Sequence, residues 1–185
     1  MSQKRLLVPM LAVALVVAAA VSALAAASAP PQRHAFPKTK TVQQRPKRVN
    51  PTVVRRLRKT VWRWQAVMGV RRTYSAAPLH TPRALRYWRW QARRVTRLAG
   101  HPPHRHGWLC IHRFEGSWQD GADPYWGGLQ MDRSFMRSYA PRVLLRRGWA
   151  DHWSALEQMW VAERAHRSGR GYTPWPNTAR YCGLL

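Results

Sequence analysis

The acidic residues of this 185-residue chain are confined to its C-terminal part, and Glu115 is the first of them. The 114 residues before Glu115 contain 23 Lys and Arg and no Asp or Glu, whereas residues 115–185 contain seven acids and nine Arg. The two parts therefore have formal charges of +23 and +2. Since no carboxylate precedes Glu115, the arginines of the first part are expected on solvated faces, and a carboxylate with a chemical role is expected only from Glu115 onward.

Residues 1–29 have the pattern of a secretory signal peptide. A basic pair, Lys4-Arg5, precedes an apolar run, and Ala23-Leu24-Ala25 forms a small-residue cleavage site. The apolar run is also long enough to serve as an uncleaved membrane anchor, through residues 6–29. Both interpretations predict that the remainder of the chain is exported. Residues 30–50 contain four prolines and few apolar residues, which predicts a disordered basic tether.

Two amphipathic helices are predicted over residues 51–100, each with clear end signals. Asn50-Pro51 places an N-cap and a first-turn proline before the first helix, which Gly69 closes. Thr81-Pro82 begins the second helix, which Gly100 closes. The spacing predicts an antiparallel helical hairpin whose inward faces carry Leu57, Val61, Trp64 and Met68 in the first helix and Leu85, Trp88, Ala92, Val95 and Ala99 in the second.

This hairpin is rich in Arg and Trp, which allows two interpretations. The Trp side chains can form a binding surface, or they can be the core between the helices, and their spacing favours the core. The charge favours a function, because an exported protein with a net charge of +25 is expected to bind anionic wall polymers or anionic lipid headgroups. Nucleic acid is not expected as a partner, because the chain has an export signal and no DNA- or RNA-binding motif.

Residues 101–107 are rich in His and Pro and are predicted to be a linker into a second domain, residues 108–185. Potential metal ligands cluster across this boundary. Their spacing lacks the ligand pairs of a zinc knuckle, and it also lacks the two His, one helical turn apart, of a metalloprotease helix. No metal and no cofactor are therefore expected at the cluster, which comprises His101, His104, His106, Cys110 and His112.

A short helix is predicted over residues 108–115, because apolar residues recur there and Gly116-Ser117 follows. Glu115 is then at a helix C-terminus, where negative charge is disfavoured, and Phe114 and Trp118 can form an apolar wall beside its carboxyl group. Both effects favour the protonated acid, which can donate a proton to a glycosidic oxygen. The alternative is a solvated Glu at the end of a helix.

Four blocks of the C-terminal part resemble, in the same order, the transglycosylase-like domain of the resuscitation-promoting factors. The blocks are Glu115-Gly116-Ser117-Trp118, then Tyr125-Trp126-Gly127-Gly128-Leu129-Gln130-Met131, then Glu157-Gln158-Met159-Trp160-Val161-Ala162-Glu163-Arg164, and then Trp175-Pro176 with a closing Cys182. That family consists of secreted actinobacterial proteins that cleave peptidoglycan with a small lysozyme-like domain. The resemblance covers residues 108–183, and it departs from the family at Phe114, where a Cys usually precedes the catalytic Glu.

The resemblance implies that Glu115 is the catalytic acid and that the second block lines a glycan groove. Paired glycines allow a sugar chain to approach the backbone closely, and flat aromatic side chains stack on sugar rings. The expected substrate-binding residues are Trp118, Tyr125, Trp126, Gly127, Gly128 and Gln130.

A second carboxylate decides between two mechanisms. Hydrolysis needs one about 5 Å from the acid for retention, or about 6.5–9.5 Å away for inversion. Asp120, Asp123 and Asp132 are the candidates near Glu115 in sequence. A lytic transglycosylase needs no second carboxylate, because the same Glu acts as acid and then as base. The shortage of acids and the resemblance favour this one-carboxylate mechanism.

Two cysteines in an exported chain of this length are expected to pair, which predicts a disulfide between Cys110 and Cys182. Cys110 lies one helical turn before Phe114 on the same face, so the bridge remains reasonable despite the departure from the family. A domain of this size has a small core and depends on such a bridge.

The chain is thus expected to be mainly α, with an N-terminal signal helix, a basic helical hairpin, and a small lysozyme-like α+β domain that contains a short β hairpin. Short helices are predicted at residues 133–139 and after Pro141, and a longer helix is predicted from the capping box at Ser154 to Gly169, followed by a loop over 170–185.

The expected function is that of an exported, wall-associated enzyme that cleaves the β-1,4 bond between N-acetylmuramic acid and N-acetylglucosamine in peptidoglycan. Its expected partner is therefore the glycan strand. The alternative is a non-catalytic cationic protein that binds the cell wall and whose lysozyme-like domain is inert.

Overall fold

The computed structural model describes residues 48–185, which are mainly helical with one small antiparallel sheet. The predicted signal peptide and nearly all of the predicted tether lie outside the described residues. No helix within 48–185 has the length and apolarity needed to cross a bilayer. The elements are, in chain order, α1 (Pro51–Met68), α2 (Pro82–Ala99), α3 (Arg105–Glu115), β1 (Tyr125–Trp126), β2 (Met131–Asp132), α4 (Arg133–Tyr139), α5 (Arg142–Leu145), α6 (Ala155–Ala165) and α7 (Pro176–Tyr181).

The first two helices begin and end where the sequence signals place them. The Asn50 side chain accepts a hydrogen bond from the Thr52 N–H at the start of α1, and the Thr81 side chain accepts one from the Ala84 N–H at the start of α2. Gly69 closes α1 in the left-handed conformation, with φ of 69°. Capping residues at both starts therefore satisfy backbone donors that a helix leaves unpaired.

The two helices run in the same direction, so the predicted antiparallel hairpin is wrong. The starts of the two helices lie side by side, because the Val49 N–H, just before α1, donates a hydrogen bond of 3.0 Å to the carbonyl of His80, just before α2. At the opposite ends, the carbonyls of Met68 and Ala99 accept hydrogen bonds from side chains in and just after α6. The connection over 70–81 returns along α1, where the Trp62 indole donates to a carbonyl of that segment at 2.8 Å.

The length of the connection explains this difference. An 18-residue helix is about 27 Å long, and an extended segment as long as 70–81 spans about 40 Å. A connection of this length reaches back to the start of α1, whereas a turn of two to five residues would force neighbouring helices to be antiparallel. Capping signals determine where a helix starts and stops, but they carry no information about its direction.

Residues 51–100 share one hydrophobic core with the C-terminal elements and are not a separate domain. The predicted linker at 101–107 does not divide the chain, because α3 begins within it at Arg105, and Pro102 and Gly107 are buried. The Trp160 indole of α6 donates to the Ala99 carbonyl of α2 at 2.8 Å. The second helix is thereby attached directly to the helix that organises the C-terminal part.

The Trp side chains of α1 and α2 differ in burial, and Trp88 is the one that lies in the core as its spacing predicts. Trp88 is 1 % exposed and packs edge-on against Trp62, with ring centroids 6.3 Å apart. Trp64 is only partly buried, whereas Val54 is fully buried without having been predicted to face inward. Trp90 is exposed, so it belongs to the basic outer face of α2.

The short β hairpin is present, with Tyr125 opposite Asp132 and Trp126 opposite Met131. One C-terminal prediction is confirmed in part, and one requires correction. The helix predicted from Ser154 to Gly169 is α-helical to Ala165 and continues as a π-type turn over His166–Arg170, within which Gly169 leaves the helical conformation with φ of 96°. The segment expected as a loop contains α7, which Pro176 begins at the helix position that proline favours.

Glu157 joins the basic α1 to the C-terminal part. Its side chain is fully buried, and it completes the predicted capping box with Ser154 at the start of α6. It also forms ion pairs with Arg63 of α1 and with Arg147, the latter at 2.6 Å. Burial by itself raises the pKa of Glu157, but hydrogen bonds from Ser154 and Arg147 and the charge of Arg63 outweigh it, so the pKa lies below its ordinary value of 4.5.

Stability should depend on pH through this carboxylate. The unfolded chain protonates Glu157 at a higher pH than the folded chain does, so its contribution is complete above pH 4.5 and is lost as the pH falls through the lower folded pKa. We expect Glu157→Gln to lower the free energy of unfolding by about 2 kcal/mol at pH 7 and to flatten its decline below pH 4.5. Urea denaturation of both proteins across pH measures this. Parallel curves for the two proteins would contradict the assigned role.

Candidate functional site

Glu115 is the last residue of α3, as the sequence predicts. The helix stops there because Gly116 has φ of 146° and ψ of −167°, a conformation that residues with a side chain rarely adopt. Glu115 is partly buried, so its carboxyl group is held by the protein and is still accessible.

The carboxyl group of Glu115 is positioned by α7. The Thr178 hydroxyl donates a hydrogen bond of 2.7 Å to Glu115 Oε1. The disulfide between Cys110 and Cys182 connects the same two helices, with Cα atoms 6.0 Å apart, and confirms the predicted pairing. Two tethers, one covalent and one a hydrogen bond, therefore hold the acid against α7.

Glu115 lines an open cleft of about 280 Å³. The β hairpin contributes Tyr125 and Gln130, and the remaining lining residues come from the segment at the start of α7, namely Pro174, Trp175, Pro176, Asn177 and Thr178. The Tyr125 ring is 48 % exposed, so one aromatic side chain is available beside the acid. Two of the six predicted substrate-binding residues, Tyr125 and Gln130, thus lie at the cleft.

The other four predicted substrate-binding residues serve the packing of the hairpin. Trp126 is 5 % exposed, and Gly127 and Gly128 are also buried. A Cβ at Gly127 would lie 2.8 Å from Cδ of Gln158, and one at Gly128 would lie 2.7 Å from the Trp118 ring. The paired glycines therefore permit close approach by side chains of this protein and not by a sugar.

Gln158 is the residue that holds this packing together. It is fully buried, its Oε1 accepts from the Gly128 N–H at 2.9 Å, and its Nε2 donates to the carbonyls of Trp118 and Ala150 at 2.8 Å each. The loop after α3 and the β hairpin are thus fixed to α6 by one amide. Gln158 lies in the third block of the resemblance, but no spacing rule assigns it this role.

The expected apolar wall beside Glu115 is not formed by Phe114 and Trp118. The Trp118 ring stacks on His112 with centroids 3.9 Å apart. Phe114 is exposed and pairs with Tyr181. The apolar surface next to the acid comes instead from Trp175 and its flanking prolines.

The three candidate second carboxylates have different surroundings. Asp120 is nearest the cleft, because its Oδ2 accepts a hydrogen bond of 2.8 Å from the cleft residue Gln130. Asp123 is exposed and pairs with Arg133. Asp132 caps α4, and hydrogen bonds from the Phe135 N–H and from Ser134 lower its pKa. Of the three, only Asp120 is hydrogen-bonded to a side chain that lines the cleft.

The predicted cluster of His and Cys is dispersed among structural roles. Cys110 is in the disulfide, and His112 bonds the Gly128 carbonyl. His104 bonds the buried Glu163, which also accepts a hydrogen bond from the Trp108 indole at 2.8 Å. Within residues 48–185, no three ligand-type side chains converge on a possible metal position.

Sequence reasoning missed Thr178, the hydrogen-bond donor to Glu115. It lies two residues after the Trp175-Pro176 block, but neither its residue type nor its spacing marks it as a partner of an acid 63 residues earlier. Only the proline that begins α7 could have indicated a helix there.

Comparison of the chain with family models, with curated proteins and with solved structures finds no match. A functional assignment for this chain thus depends on the residues and geometry of the cleft.

Proposed function

We propose that this protein is an exported enzyme that cleaves the β-1,4 bond between N-acetylmuramic acid and N-acetylglucosamine in peptidoglycan, with Glu115 as the proton donor. One observation carries the proposal. A partly buried carboxyl group lies at a helix end in an open cleft, with one oxygen held by Thr178, and Tyr125 and Gln130 lie beside it.

The chemistry needs a proton at the bridging oxygen. Glu115 donates it as the bond from that oxygen to the muramyl C1 breaks, and the resulting carboxylate then takes the proton of the muramyl 6-hydroxyl as that oxygen bonds to C1. The product has a 1,6-anhydro end and Glu115 is reprotonated. In the hydrolytic variant, water replaces the 6-hydroxyl.

The resemblance to the resuscitation-promoting factors supports the proposal. Five of the matched residues line this cleft, namely Glu115, Tyr125, Gln130, Trp175 and Pro176. We also propose that residues 108–185 form a lysozyme-like domain. The mainly α structure with one short β hairpin is consistent with this fold.

Asp120 distinguishes the two mechanisms. If one carboxylate suffices, Asp120→Asn should retain activity within about tenfold, because only the support of Gln130 is weakened. If Asp120 acts as a base or nucleophile, the same change should reduce kcat by about 10²-fold or more. Initial rates on soluble, uncross-linked peptidoglycan chains measure this. We expect the smaller effect.

Clearing of purified cell walls tests the enzyme against a non-catalytic wall-binding protein. The enzyme should lower the turbidity of a wall suspension and release soluble fragments. A protein that sediments with the walls and leaves their turbidity unchanged would support the binding alternative and contradict the enzymatic proposal.

The basic face of α2 supports a second part of the proposal, retention on an anionic wall polymer. Its arginines are exposed, and none of them pairs with a carboxylate of the described chain. This unneutralised set comprises Arg83, Arg86, Arg89, Arg93, Arg94 and Arg97. A surface of this charge concentrates the protein on anionic surfaces, and the attraction is screened by salt.

Replacing Arg86, Arg89, Arg93 and Arg97 with Gln should weaken wall binding by up to about 10³-fold at low salt, because each of the four charges removed contributes about 1 kcal/mol near an anionic surface. The salt dependence of binding should fall with it, whereas activity on soluble chains should stay unchanged. Co-sedimentation with walls before and after removal of anionic polymer, and with anionic lipid vesicles, identifies the partner. Equal salt dependence of variant and wild type would contradict the proposal.

A further inference from the structure

Helices α3 and α7 are joined by three successive residue pairs. Glu115 accepts a hydrogen bond from Thr178, Phe114 packs on Tyr181, and Cys110 is bonded to Cys182. As the position in α3 moves back from 115 to 110, the partner moves forward from 178 to 182. The Phe114–Tyr181 pair therefore belongs to the same contact between α3 and the α7 segment as the Glu115–Thr178 pair and the disulfide.

Both aromatic side chains of this pair are exposed. Phe114 is 56 % exposed and Tyr181 is 79 % exposed, and their ring centroids are 5.9 Å apart with planes inclined by 35°. They contribute little to the core, so folding does not account for two large aromatic groups at this position. Aromatic rings whose faces are open to solvent can pack against the apolar face of a ligand.

We propose that Phe114 and Tyr181 form an aromatic platform that binds a sugar ring of the glycan strand next to the bond that Glu115 cleaves. This inference rests on the proposed function and adds a subsite to it. The occupant is a glycan because the platform adjoins the cleft through the backbone of Phe114-Glu115 and through α7, where Tyr181 follows Thr178 by less than one turn.

The geometry suits a pyranose ring. The axial C–H groups of a pyranose form an apolar face that packs on an aromatic ring, while its hydroxyl and amide groups remain available to the Tyr181 hydroxyl and to water. Tyr125 lies on the hairpin side of Glu115, and the platform lies on its α3–α7 side. A strand in the cleft can therefore stack on aromatic rings contributed by two different parts of the fold.

The disulfide restrains the backbone on both sides of the platform. Phe114 is one turn after Cys110, and Tyr181 is adjacent to Cys182, so the bond fixes the separation of the two segments that carry the rings. Backbone that is already positioned loses less conformational entropy when a ligand binds. Phe114 stands where the resembled family usually has Cys, so the platform is not a feature that the resemblance supplies.

Calorimetric titration with soluble, uncross-linked peptidoglycan chains tests the platform. The parent protein carries Glu115→Gln, so the chains are bound and not consumed. Adding Phe114→Ala or Tyr181→Ala should raise Kd about tenfold each, whereas Phe114→Trp and Tyr181→Phe should stay within about twofold of the parent. Tyr74→Ala, at an exposed aromatic residue of the connection between α1 and α2, is the matched control and should leave Kd unchanged.

The same substitutions in the chain that retains Glu115 should raise KM and leave kcat nearly unchanged. Alanine variants with the parent Kd and KM would overturn the platform while leaving the proposed function intact. Weakened binding in the alanine variants, combined with wild-type protein that cleaves no glycan, would support the platform and overturn the proposed enzyme. A parent protein that binds no glycan chain would overturn both.

Discussion

Glu115→Gln should reduce kcat on soluble peptidoglycan chains by about 10³-fold. Glutamine has nearly the same shape and can still accept the hydrogen bond from Thr178, so the fold and the cleft should be preserved. It has no proton to donate to the bridging oxygen at the pH of the assay. The loss should therefore appear in kcat, while KM and wall binding stay close to those of the wild type.

Asp123→Asn is the matched control for this substitution. Its carboxyl group is 67 % exposed and pairs only with Arg133, so the same chemical change there should leave the rate within about twofold. Urea denaturation of the Glu115→Gln protein, with a midpoint close to that of the wild type, shows that it is folded. A Glu115→Gln protein that retains a tenth or more of the wild-type rate would show that another group supplies the proton.

Removing the disulfide should be the largest single effect on stability. The bridge closes a loop with a sequence separation of 72 residues, for which chain entropy predicts a loss of about 4 kcal/mol when both cysteines are replaced by Ser. Since the bridge also joins α3 to α7, the Thr178–Glu115 pair should loosen and kcat should fall as well.

Urea denaturation of the Cys110→Ser, Cys182→Ser double variant measures the loss of stability, and the wild type with and without reductant is the control. Reduced wild type should behave like the double variant. A loss below about 1 kcal/mol in both would mean that the packing of α3 on α7 is sufficient without the bond.

The chain's local signals predicted its helices well because they report on neighbouring residues. Asn50, Thr81 and Ser154 each accept the expected capping hydrogen bond. Gly116 ends α3 at the predicted acid. Each of these features depends on the chemistry of fewer than six consecutive residues, so no knowledge of the tertiary fold was needed.

Features that depend on distant contacts were predicted less well. The direction of α2 depends on how far residues 70–81 extend, and the attachment of α1 depends on its ion pair with Glu157. The sequence pattern predicts that Gly127 and Gly128 allow a sugar to approach the backbone, but Gln158 and Trp118 occupy the space next to them. A glycine pattern shows that something approaches closely, but it does not show what approaches.

The candidate site combines both kinds of information. Glu115, Tyr125 and Gln130 were identified from motifs, and the cleft that unites them is formed with residues of α7, including Thr178, that carry no motif. Phe114 appeared in the sequence as a departure from the resembled family. In the fold it is half of an exposed aromatic pair beside the acid.

The central claim is that Glu115 protonates the bridging oxygen of the glycosidic bond that follows N-acetylmuramic acid. The most direct test is mass spectrometry of the fragments that the wild-type protein releases from purified peptidoglycan. We expect fragments that end in N-acetylmuramic acid, with a 1,6-anhydro ring, and no such fragments from the Glu115→Gln protein. Fragments that end in N-acetylglucosamine, fragments cut only in their peptides, or identical fragments from both proteins would contradict the assignment.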